Sequence, residues 1–326
     1  MSNPVRTVRR RAGPPARLLF VFLTALAVLP TRASSDADLS PYVYEDTKQL
    51  VAMVNDAAAL MAKEGEAAFA EFQVIGSRWR YGEYYLFVYA VDGTCVFHPE
   101  EPTFVGKNLI DLRDSDGRPV IRDITRVARR QGPDASGWVF YMWENRRQLA
   151  PTWKAAFIRK VITPDNKVYA IGSGIFNPKT ERVFVKDNVD RVVSLLSREG
   201  KAALPQLRNP EYEPLDTFVF VMDAKGKTLF DPVFPTLGPR DLMDFTDSTG
   251  THVIENVLQR LASQNEVWMT YLQSEPGSRT PARKLMYVRK VMVDGESLFV
   301  GSNFYLAIPI WMKAQNDQPW QRVPPT

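Results

Sequence analysis

The sequence predicts an α+β fold made twice over: two antiparallel sheets with packed helices, in tandem, preceded by a long helix. Two observations carry this expectation. Similar segments recur in one order at a spacing of roughly 130 residues, longer than a solenoid unit and suited to a duplicated domain. Within each copy, apolar residues first follow helical spacing and then the two-residue period of strands. A chain of 326 residues, 45% of them apolar, is long enough for two cores.

The first thirty-odd residues differ in kind. Arg6, Arg9, Arg10, Arg11 and Arg17 precede the apolar run Leu18 to Leu29, followed by Pro30, Thr31, Arg32 and Ala33. A basic start, a short apolar stretch and small residues at a cut point predict a cleaved signal peptide over 1–33. The alternative is an uncleaved membrane anchor, for which the run falls short of the ~20 apolar residues of a span. This segment holds six arginines and no acid, so its removal leaves 35 basic against 37 acidic residues and turns a net charge of +4 into −2. The positive whole-chain charge therefore belongs to the export signal, and no nucleic-acid partner is expected. A single cysteine, Cys95, permits no intrachain disulfide. A periplasmic location fits better than a disulfide-stapled secreted scaffold.

In the first copy, Leu50, Val51, Val54, Ala57, Ala58, Met61, Ala68, Phe69 and Phe72 lie near helical spacing, which predicts one long amphipathic helix over 45–73. Runs rich in β-branched and aromatic residues predict strands at 84–91, 94–98, 138–143, 155–163 and 167–174. Asp92-Gly93 signals a hairpin between the first two, and Asp165-Asn166 another turn. Arg118 to Arg130 reads as a short helix. Hairpin-like connections make the sheet antiparallel, with helices packed against it.

The second copy repeats this order. Lys63-Glu64-Gly65-Glu66-Ala67-Ala68 is echoed by Arg198-Glu199-Gly200-Lys201-Ala202-Ala203. Leu86 to Asp92 is echoed by Thr217 to Asp223, and Val96-Phe97-His98-Pro99 by Leu229-Phe230-Asp231-Pro232. Gly106, Leu109, Asp111, Asp114 and Gly117 correspond to Gly238, Leu242, Asp244, Asp247 and Gly250. Ala156-Phe157-Ile158-Arg159-Lys160 corresponds to Met286-Tyr287-Val288-Arg289-Lys290, and Gly172-Ser173 to Gly301-Ser302. A helix is expected over 187–200, with Pro205 stopping any continuation. The expected division is a signal peptide at 1–33, a first copy with its leading helix at 34–180, a second at 181–307, and a proline-rich tail at 308–326.

The residues Tyr85 to Gly93, Phe97-His98-Pro99, Gly106-Lys107-Asn108-Leu109, Asp114-Ser115-Asp116-Gly117, Gly137 to Trp143 and Tyr169 to Phe176 resemble a Cache domain. Cache domains are PAS-like extracytoplasmic sensors of chemoreceptors, histidine kinases and related proteins, and each copy is most similar to the single-Cache type. The resemblance implies an exported small-molecule sensor with a pocket on one sheet face, roofed by the loop and helix between strands two and three. No kinase or methyl-accepting coiled coil follows, so it also implies that the signal passes to a separate membrane-bound partner. The second copy has Asp231 for His98 and Gln273 for Trp143, and no tryptophan in place of Trp138, so a changed or lost specificity is expected there.

Alternation puts Val139, Tyr141 and Trp143 on one face of their strand, where Tyr141 and Trp143 either line a pocket or fill the core. Lys154 and Lys284 occupy matching positions after Pro151 and Pro281. A cation at a pocket rim suits a carboxylate, so small organic acids are the expected ligands. Arg159 and Arg289 are candidates for the same task, with a salt bridge on a solvated face as the alternative. His98, at a strand end, would either donate to a ligand or cap the loop. Ser173 follows a glycine in the last strand. In the second copy the corresponding candidates are Tyr271, Gln273, Lys284 and Arg289. Asp111, Asp114 and Asp116 crowd one loop but lack the bidentate Glu of a calcium loop, so turn chemistry is expected, with no metal and no cofactor.

An enzyme is not expected. The sequence lacks a nucleophile elbow, a phosphate-cradling glycine loop and His-Glu-x-x-His, and it has only two histidines, His98 and His252. The rival to a ligand-binding sensor is a ligand-free module serving a membrane receptor or transporter. Its mark would be a pocket filled by the protein's own side chains.

Overall fold

The computed structural model describes residues 38–145, 148–215, 217–233, 240–274 and 280–306. The expected signal peptide at 1–33 and tail at 308–326 lie outside the described residues. The first copy opens with α1 (Glu45–Glu64), a 3₁₀ turn (Gly65–Ala68) and the short α2 (Phe69–Phe72). The expected single helix over 45–73 is thus interrupted at Gly65. Its φ of 63° is a left-handed conformation that ends an α-helix and that glycine adopts without steric cost. Gly200, φ 68°, ends the leading helix of the second copy in the same way.

The strands β1 (Arg80–Tyr81) and β2 (Tyr84–Tyr85) form a small ribbon. They are followed by β3 (Phe87–Ala90), β4 (Cys95–Phe97), α3 (Val120–Ala128), β5 (Ser136–Trp143), β6 (Thr152–Ile162) and β7 (Val168–Phe176). The sheet order is β4-β3-β7-β6-β5, antiparallel throughout. The second copy has α4 (Arg182–Glu199), β8 (Val219–Asp223), β9 (Thr228–Phe230), α5 (Val253–Leu261), β10 (Glu266–Ser274), β11 (Pro281–Val293) and β12 (Glu296–Tyr305). Its order, β9-β8-β12-β11-β10, is the same path through a second five-stranded sheet.

Each sheet is packed on both faces, because successive strand residues point to opposite sides. In the first copy, Leu50, Val54, Ala57 and Met61 of α1 meet Phe140, Phe157 and Ile171. Ile121, Ile124 and Val127 of α3 cover the other face with Phe87, Val139, Tyr141 and Ile158. In the second, α4 brings Val189, Val192 and Leu196 onto Leu285, Tyr287 and Val300, while α5 brings Ile254, Val257 and Leu261 onto Phe220, Met286 and Phe299.

Helix α4 begins five residues before the expected 187. Its first turn serves two cores: Phe184 sits edge-on to Trp138 and Phe140 of the first copy, while Val185 joins the second core. A turn split between two cores does not make one apolar stripe. After Gly200 a 3₁₀ segment runs to Arg208 with Pro205 inside it, so the proline does not end the helical path. Among the described residues no helix is long and apolar enough to cross a membrane.

The glycines of the last strands are sites of close approach. A Cβ on Gly301 would overlap the ring of Phe220, its partner on β8. Gly301→Ala is expected to cost ~1–3 kcal/mol by overpacking, read as a lower urea midpoint with an unchanged slope. An unchanged midpoint would mean that Phe220 can swing away.

Candidate functional site

The loop between the second and third strands of each copy is tied to the sheet by one aspartate. Asp114 Oδ1 accepts from the backbone N–H groups of Asp116 and Arg118, and its Oδ2 from Met142 N–H on β5 at 2.8 Å. Asp247 accepts from Thr249, Thr251 and Leu272 N–H groups in the same manner. These bonds hold the Asp247 carboxyl well below the usual carboxylate range, the side-chain bond from Thr249 contributing most. The repeated aspartates are turn-and-latch residues that bring the loop over the strand carrying Trp143 or Gln273.

The matching lysines meet different surroundings. Lys154 is 1% exposed and donates to the Tyr85 hydroxyl at 2.6 Å, with the Tyr85, Phe176 and Phe87 rings around its ammonium. Burial pushes it down from 10.5 to about 7, opposed by the more distant Glu100 and Glu83. It lies down over Gly174, whose missing side chain leaves the space: a Cβ there would come within 2.5 Å of Lys154 Cε. Asn303 holds the place of Gly174 in the second copy, and there Lys284 donates to Gln273 Oε1 at 3.2 Å and lines a cavity of about 790 Å³. Burial lowers Lys284 to about 8.

This cavity has an apolar wall from Phe220, Leu242, Phe245, Val253, Ile254 and Met286, and a polar side from Asp231, Arg240, Gln273, Lys284, Asn303 and Tyr305. Tyr271, 5% exposed, lines it too, so burial drives its hydroxyl well above the ordinary value. The size falls in the usual range for small-molecule sites. Three of the second-copy candidates, Tyr271, Gln273 and Lys284, converge here, because Tyr271 and Lys284 pair across β10 and β11 and Gln273 is two residues along on the same face. Arg240, Asn303 and Tyr305 join them without having been expected from the sequence. Position offers the signal for two of them: Asn303 and Tyr305 lie on the cavity face of β12, two residues apart.

The first-copy candidates are more dispersed. Tyr141 is 3% exposed in the core against α3. Trp143 stands edge-on to it and lines a smaller cleft of about 280 Å³ with Tyr85, Glu100 and Phe176. His98 is buried among Tyr85, Phe87 and Phe104, and its Nδ1 accepts from Glu101 N–H at 3.0 Å, which is loop capping. Asp231 caps the matching loop through Val233 N–H and also pairs with Arg240 at 3.8 Å on the cavity rim. Ser173 donates to the Tyr85 carbonyl, tying β7 to β2, whereas Ser302 Oγ is buried with no partner among the described residues.

Arg159 and Arg289 do not join the lysines. Each lies five residues after its lysine, an odd step that puts it on the opposite sheet face. Arg159 bonds Asn55 of α1 at 2.6 Å and Asp134 at 2.8 Å, and Arg289 bonds Asp190 of α4. They fasten helices to sheets.

A family model described as a Cache domain matches residues 31–307. The sensor histidine kinase MctS of Rhizobium johnstonii (strain DSM 114642 / LMG 32736 / 3841) is 30% identical over 114 residues, covering 35% of this chain and 23% of the relative. The chain therefore spans less than a quarter of that relative's length. A periplasmic sensor domain of a chemotaxis protein is 25% identical over 39% of this chain and 86% of its own, with a TM-score of 0.30. A Cache chemosensory domain described for carboxylic acid recognition is 21% identical over 39% of this chain and 84% of its own, also with a TM-score of 0.30.

Proposed function

The chain belongs to the Cache-domain family, whose members are extracytoplasmic sensor domains, and from that premise we propose that it is an exported, non-enzymatic sensor that binds a small organic acid in its second copy. Residues 1–33 direct export to the periplasm, 34–180 and 181–307 form the two copies, and a separate membrane-bound partner receives the signal. The observation that carries the ligand reading is Lys284, a buried cation on the wall of a cavity of ligand size. A carboxylate there gains a charge-assisted hydrogen bond in a medium less polar than water. Lys154, already bonded to Tyr85 and 1% exposed, supports a scaffolding role for its part of the first copy.

The test is a thermal-shift panel of carboxylates, amines and neutral amides on the full chain, since a ligand that binds only the native state raises Tm. Acids are expected to raise Tm by several degrees at saturating concentration and pH 7, and Lys284→Met to abolish the shift. Lys284 must carry its proton to hold an anion, so the shift should shrink as pH rises through about 8, by up to about tenfold in affinity per unit beyond it. Shifts with amines alone, or acid binding intact in Lys284→Met, would sink the reading.

A further inference from the structure

Lys284 and Asn303 are neighbours on the cavity wall. Lys284 pairs with Tyr305 across β11 and β12, and Asn303 lies one same-face step from Tyr305, opposite Met286. Residues so placed stand about 7–8 Å apart along the diagonal, within the span of one small molecule.

The two ask for different groups. Lys284 is a cation that donates to the neutral Gln273 Oε1, and no carboxylate among the described residues pairs with it. Asn303 is 7% exposed, and its Oδ1 is buried with no hydrogen-bond partner among the described residues. Buried polar atoms are nearly always satisfied, and an amide oxygen is satisfied only by a donor. A carboxylate has no proton to offer it. A ligand that meets both residues therefore carries an anionic group and, a few bonds away, an O–H or N–H.

The charges on the wall decide between those donors. Asp231 is the one carboxylate among the described residues lining the cavity, and Arg240 at 3.8 Å and the Val233 N–H already hold it. With Arg240 offsetting Asp231, Lys284 leaves the wall one positive charge in excess. A monoanion neutralises that charge, whereas a zwitterion leaves it standing. An ammonium at Asn303 would face a neutral amide and feel Lys284 in a medium less polar than water, where like charges repel more strongly. A hydroxyl makes the same hydrogen bond without a charge.

We infer that the second-copy cavity takes a hydroxy acid, its carboxylate on Lys284 and its hydroxyl donating to Asn303 Oδ1. This rests on the reading of the cavity as an anion site and narrows it to acids with a hydroxyl on the second or third carbon. The first copy has Gly174 at the place of Asn303 and holds its lysine on Tyr85, so it offers neither half of the site.

The experiment is calorimetric titration of the full chain at pH 7 with butanoate, 2-hydroxybutanoate, 3-hydroxybutanoate and 2-aminobutanoate, each enantiomer separately. One carbon skeleton keeps apolar burial nearly constant, so the series reads the donor alone. A hydroxybutanoate should bind about tenfold or more tighter than butanoate, and 2-aminobutanoate should bind less tightly than that hydroxy acid. Lys284→Met should weaken every acid by about tenfold or more. Asn303→Leu should bring the hydroxybutanoate down to the level of butanoate and leave butanoate itself nearly unchanged, and Asn303→Val should do the same. Both remove an unsatisfied atom, so without ligand they should melt no lower than the wild type. A lower Tm in both would mean that the amide is already bonded within the protein, and would overturn its place in the site. Butanoate binding as tightly as the hydroxy acids, or 2-aminobutanoate binding tightest, with Lys284 still required, would overturn the hydroxy acid and leave the acid sensor standing. No binding of any acid, or binding indifferent to Lys284, would overturn both.

Discussion

Lys154→Met is expected to stabilise the protein by ~2–4 kcal/mol at pH 7. The lysine is 1% exposed, it donates to a neutral tyrosine hydroxyl, and burial brings it down from 10.5 to about 7. Its full electrostatic cost would exceed 4 kcal/mol at ~1.4 kcal/mol per pH unit. Relaxation of the interior and the bond lost from Tyr85 reduce the expected gain. The sign with pH follows from linkage. The unfolded chain holds this proton more tightly than the folded one, so the destabilisation is complete below about pH 7. It fades as pH rises from about 7 towards 10.5. Urea unfolding between pH 6 and 10 should therefore reveal wild-type stability rising with pH more steeply than that of Lys154→Met. Parallel profiles would mean that the ammonium keeps its water in the folded state.

Glu181→Ala should lower stability by about 3 kcal/mol and loosen the start of α1. Glu181 is fully buried at the start of α4, and its two carboxylate oxygens accept the N–H groups of Val43 and Tyr44, both at 2.9 Å. Tyr44 caps α1, so one carboxylate fastens the beginnings of both long helices and also meets the positive end of the α1 dipole. Hydrogen bonds to a charged acceptor contribute ~1.5–3 kcal/mol each, and removing the acceptor leaves two donors without it. The specific readout is hydrogen exchange: the Val43 and Tyr44 amides should exchange much faster in the variant while those of β6 and β7 keep their relative order. A uniform acceleration across the chain would point to general destabilisation and remove Glu181 from its assigned place.

Much of this arrangement is legible in the residues. The duplication, the order of helices and strands, and the side to which each strand residue points all follow from periodicity, which is local and survives in any sequence that must bury one face. Alternation alone therefore assigns Tyr271 and Gln273 to one face of β10, and the repeat matches Lys284 to Lys154; the strand register then sets Lys284 opposite Tyr271. The same rule, applied to the odd step between Lys284 and Arg289, separates both arginines from the site. The apolar pattern of 45–73 continues through Gly65 without a break, so it predicts one helix where the backbone makes a left-handed turn.

The sequence by itself determined the two sheets, their faces and a lysine at the same place in each. Which lysine reaches an open cavity was decided in three dimensions. Lys154 lies over Gly174 of the neighbouring strand and bonds Tyr85, while Lys284, with Asn303 at the place of Gly174, bonds Gln273 and lines the cavity. A pattern of apolar and polar residues encodes direction. It does not encode the volume left between side chains from distant strands, and that volume separates a filled core from a binding site.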